Sequence, residues 1–79
     1  MKQIIKKLEE LKLINQVAEK FTELTDENFV EHGVLFFIPM GKYEIKVLVP
    51  APFHKSIFND GTPPTYKQIL GHKEAMILK

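Results

Sequence analysis

His54, Lys55 and Ser56 stand side by side, a nucleophile next to two groups able to move a proton. Consecutive residues do not point to a common centre, and no glycines flank Ser56 in the manner of a nucleophile elbow. Catalysis is therefore not expected, and the reading is of a non-enzyme. His32, His54 and His72 could in principle meet Glu31 or Asp60 around a metal. They stand 22 and 18 residues apart, and neither HxxH nor HExxH spacing occurs. Surface or helix-end histidines are the simpler account, and no metal or other cofactor is expected. The four glycines are isolated, so no phosphate-cradling loop is encoded.

The basic residues are all lysine, 11 against 10 acids, with arginine absent. Arginine is the usual two-pronged reader of guanine and phosphate. A net charge of +1 adds little long-range attraction. Nucleic acid is thus an unfavoured partner. Single-stranded binding is a third reading, resting on Phe37 between Lys42 and Lys46. The acids Asp26, Glu27 and Glu31 fall in a stretch without lysine, whereas residues 42–79 hold six lysines and three acids.

These residues must be positioned by few elements. A chain of 79 residues with 44% hydrophobic and 27% charged content predicts one small globular domain over residues 1–79. It is too short for a doubly wound nucleotide fold or a (β/α)₈ barrel. Without cysteine there are no disulfides or thiolate zinc sites. A core this small often gains support from self-association, so a homodimer is expected. The amino-terminal residues lack an unbroken apolar run, and Val34 to Met40 is too short to cross a bilayer. The expectation is a cytoplasmic protein with no membrane partner.

Ile4, Leu8, Leu11, Ile14, Ala18 and Phe21 recur every three or four residues, predicting one long amphipathic helix over 2–24. Ile5 and Leu13, off the main stripe, would mark dimerisation through that helix. Thr25 or Asp26 would cap a short turn carrying Phe29 and Val30, with Gly33 past its end. Residues 34–39 and 42–49 read as a β-hairpin with Met40-Gly41 as its loop. That register pairs Phe36 with Ile45 and Ile38 with Tyr43. It puts Val34, Phe36 and Ile38 on one face with Tyr43, Ile45 and Val47, and helix packing is expected there. Residues 50–64 are irregular, with a helical turn near Ser56–Phe58. Thr62 or Thr65 would cap a helix over 66–70 ended by Gly71, and 74–78 would add a third strand. The fold class is α+β, a long N-terminal helix on a small antiparallel sheet, in the order α-β-β-α-β.

The opposite hairpin face carries Leu35, Phe37 and Leu48 beside Lys46 and Glu44. A one-sided sheet would be polar there. Either the helix over 66–70 or the 50–64 segment covers these groups, or they form a contact surface. The functional expectation is a protein-binding module of inhibitor or adaptor type, such as a small regulator carried by a phage or other mobile element. Its partner-binding residues would be Leu35, Phe37, Lys46 and Leu48, with Phe53, His54 and Asp60 from the long loop. The alternative is a sink or sensor for a small anionic ligand held by Lys55 and Lys67.

Overall fold

The computed structural model describes residues 2–25, 27, 32–58 and 61–78. Its elements are α1 (Lys2–Glu10), β1 (Phe21–Leu24), β2 (Gly33–Met40), β3 (Tyr43–Pro50), α2 (His54–Ile57), α3 (Tyr66–Leu70) and β4 (Met76–Leu78). The four strands form one antiparallel sheet in the order β1-β2-β3-β4. The class is α+β, but the order is α-β-β-β-α-α-β.

The long helix is not formed. α1 has 9 residues and stops because Lys12 turns left-handed, with φ 61°. The Leu13 N–H then donates back to the Leu8 carbonyl at 2.8 Å, and the Lys12 N–H to Glu9 at 3.1 Å. These are the two closing bonds of a Schellman ending. Leu13 follows Leu8 onto the core. Sequence periodicity misled beyond this point: Phe21, read as helix stripe, is exposed at 45%.

Phe21 instead begins β1, opposite Phe36. Phenylalanine and Thr22 suit a pleated strand, and the edge of β2 needs hydrogen-bond partners. The Phe21 and Phe36 rings lie 5.9 Å apart, and Phe58 joins them at 5.4 and 5.8 Å. Each such aromatic contact adds about 0.5–1.5 kcal/mol. Gly33 opens β2 instead of ending a helix, facing Leu24 and Pro50. The turn expected to carry Phe29 and Val30 falls outside the described residues.

In the β2–β3 hairpin, Met40 pairs with Tyr43, leaving Gly41-Lys42 as the loop. Gly41 has φ 64°, as a two-residue loop with glycine in first place requires. Phe36 faces Val47 and Ile38 faces Ile45, a shift of two residues from the predicted register. Side chains alternate with period two, so a shift of two preserves both faces. Val34, Phe36, Ile38 and Val47 accordingly lie on the core face as expected, joined by Val49 and a half-buried Ile45, whereas Tyr43, next to the loop, is 62% exposed.

Leu8, Ala18, Tyr66, Ile69 and Leu70 pack on that face. α3 carries a complete capping box: Gln68 N–H donates to Thr65 Oγ1, and Thr65 N–H donates to Gln68 Oε1. The chain on either side of α1 and α3 is tied together. Ala18 N–H donates to Pro64 O, Tyr66 N–H to Gln16 O and Lys67 N–H to Ile14 O, at 2.9, 2.9 and 3.2 Å. Ile5 and Leu13 both pack against the core in this chain. Among the described residues no helix is long and apolar enough to cross a membrane.

Candidate functional site

The pairing register fixes the face opposite the helices. β1 contributes Thr22 and Leu24, β2 contributes Leu35, Phe37 and Pro39, β3 contributes Glu44, Lys46 and Leu48, and β4 contributes Met76 and Leu78. The helix over 66–70 and the 50–64 segment send Tyr66, Ile69, Leu70, Ile57 and Phe58 to the other face. Leu24 and Leu48 are nevertheless buried, Leu35 and Phe37 are half-buried, and Lys46 and Met76 are exposed. Leu48 therefore backs the sheet, while Phe37 and Lys46, directly paired across β2 and β3, reach its surface.

Phe37 lies where β1 gives way to the connecting chain. β1 pairs with β2 only as far as Phe36, and the Phe37 N–H donates to the Lys20 carbonyl at 3.2 Å. Two residues further along the same open edge stands Pro39. Proline has no N–H, so this edge lacks a donor that would otherwise seek an added strand. An open cleft of ≈ 390 Å³ occupies the angle, lined by Glu19, Lys20, Phe21, Thr22, Phe37 and Glu44. A second hollow of ≈ 230 Å³ shares Glu19, Lys20, Phe37 and Glu44 and reaches Gln16, Pro39 and Tyr66.

Tyr66 joins the core to this groove. Its residue is 5% exposed, yet it lines the hollow. Burial, then Glu19, then Glu44, hold its hydroxyl pKa above the ordinary 10.0. Among the described residues no hydrogen-bond partner reaches that hydroxyl. Neither Glu19 nor Glu44 is in an ion pair among those residues. Sequence reasoning placed Glu44 on this face but missed Glu19 and Tyr66. Glu19 was hidden by the helix reading, and Tyr66 by its place in a short helix whose apolar face is core.

The other expected site residues are dispersed. Phe53 is 43% exposed beside α2. His54 is half-buried, with Nδ1 buried and unpartnered among the described residues. Asp60 lies outside the described residues. Lys55 and Lys67 are exposed on separate helices, and neither lines the groove. His32 stands 3.5 Å from Glu23 at the surface. Among the described residues no three His, Asp or Glu side chains converge as metal ligands, and Glu31 is not among those residues.

One contact was not anticipated. Ser56 Oγ lies 3.0 Å from His72 Nε2, and the Glu74 backbone N–H donates to His72 Nδ1 at 3.0 Å. An amide can only donate, so Nδ1 holds the lone pair and the neutral ring carries its proton on Nε2. Ser56 accepts that proton and donates its own to the Phe53 carbonyl at 2.8 Å. A serine nucleophile needs the opposite polarity, with Nε2 as acceptor. This pair is built as a staple from α2 to the turn before β4.

Compared with protein-family models, curated proteins and solved structures, the chain matches none.

Proposed function

We propose that this chain is a non-enzymatic protein-binding module of inhibitor or adaptor type, contacting its partner through the sheet face opposite its helices. The observation that carries the reading is the setting of Phe37. This ring is half-buried and lines a ≈ 390 Å³ open cleft together with Glu19, Lys20 and Glu44, at the open edge of β2. An aromatic anchor with a polar surround is the usual energetic centre of a protein contact. Lys46 beside it and Met76 towards the far edge extend the surface. The reversed polarity of the Ser56–His72 pair supports a binding role over hydrolysis.

The test compares affinity capture from cells by the native protein, Phe37→Ala and Lys55→Ala. A partner held by the native protein and by Lys55→Ala, but weakened at least about fivefold by a folded Phe37→Ala, is the expected result. Equal retention by all three overturns the reading.

A further inference from the structure

The groove beside Phe37 has a chemistry of its own. Glu19 comes from the chain entering β1, Glu44 from β3, Phe37 from β2 and Tyr66 from α3, so four separate segments meet there. Both carboxylates lack ion-pair partners among the described residues. Tyr66 is 5% exposed and lines the hollow, and its hydroxyl meets no protein partner among the described residues. Lys20 stands on the rim. Burial, and after it the charges of Glu19 and Glu44, hold the Tyr66 pKa up, in keeping with two carboxylates close to the phenol.

A groove lined by an aromatic ring and two carboxylates, with a phenolic oxygen free to accept, suits a planar cation. A guanidinium stacks on a ring face and presents N–H groups along its edge to oxygen acceptors. This chain has no arginine, so such a group must come from another molecule.

We propose that the groove formed by Glu19, Phe37, Glu44 and Tyr66 receives an arginine side chain of the partner protein. This deepens the protein-binding reading and rests on it. Phe37 supplies the stacking surface, the glutamates supply counter-charge, and the Tyr66 hydroxyl accepts an N–H. Burial of these polar groups without a cation would leave them unpaired, which makes the groove selective against neutral side chains.

The experiment is an amide NMR titration of the intact protein with Nα-acetylarginine amide, against Nα-acetyllysine amide and the neutral isostere Nα-acetylcitrulline amide. The expected result is a saturable shift at residues 19, 20, 37, 44 and 66 with arginine, weaker with lysine and absent with citrulline. A Glu19→Gln/Glu44→Gln variant that keeps the native spectrum should lose roughly five- to tenfold in affinity. Equal shifts with citrulline, or an unchanged affinity in the double variant, overturn the proposal. Movement of the same resonances on raising protein concentration alone would make the occupant a lysine of a second copy, and also overturns it. The two readings fail separately. Partner capture lost with Phe37→Ala but kept by Glu19→Gln/Glu44→Gln removes the arginine and leaves the module.

Discussion

Ser56 Oγ and His72 Nε2 lie 3.0 Å apart, and the proton between them belongs to the imidazole. The relationship looks like half of a catalytic triad and has the wrong direction for one. Ser56→Ala removes the acceptor of this bond and the donor to Phe53, and should cost about 1 kcal/mol in urea unfolding. A fluorophosphonate probe should leave Ser56 unlabelled in the native protein. Rapid labelling at that residue would mean that Nε2 acts as a base.

Lys12 holds φ 61° at the end of α1. A left-handed residue with a side chain is strained by about 1–2 kcal/mol, and glycine returns part of that gain as unfolded-state entropy. Lys12→Gly should therefore stabilise the protein by about 0.5 kcal/mol, read as a higher urea midpoint with an unchanged slope. A lower midpoint would contradict the Schellman ending.

Gly33 is fixed by close approach and not by torsion. A Cβ there would sit 2.8 Å from the Val49 carbonyl oxygen and 2.9 Å from Pro50 Cα, both backbone atoms. Gly33→Ala should cost about 2 kcal/mol or more by chemical unfolding, since the sheet must part to admit it. Gly41 meets nothing within 4 Å but has positive φ. Gly41→Ala should cost about 1 kcal/mol, from strain alone. Reversal of this order would place the close approach elsewhere.

Tyr66 gives the protein an alkaline limit. Burial, reinforced by Glu19 and Glu44, raises its pKa in the folded chain. The unfolded chain then loses this proton first, near pH 10, and folding stability falls as pH rises through the folded value. The contribution is complete below pH 10 and lost above it. Thermal melts between about pH 8 and 11 should fall more steeply for the native protein than for Tyr66→Phe. Parallel curves would show that the phenol does not report this field.

The core face of the hairpin was legible from alternation alone, and it survived an error in the loop because the register moved by an even number. The helix over 66–70 and a strand within 74–78 were also readable, and of the two caps offered, Thr62 and Thr65, it is Thr65 that closes the capping box. The N-terminal third was not. Ile4 through Phe21 repeats with helical spacing, but a left-handed Lys12 cuts the helix, and pairing with Phe36 draws Phe21 into the sheet. That decision is made by residues distant in the chain. It also hid the groove, because Glu19 reaches Glu44 and Tyr66 only once the helix has ended.

The bonds joining Ile14, Gln16 and Ala18 to residues 64–67 span some fifty positions of chain. Closing a loop of that length is entropically slower than pairing a hairpin. The hairpin can therefore form before the clasp closes, and until it does the apolar face of β2 and β3 lacks the Ala18, Ile69 and Leu70 that complete the core.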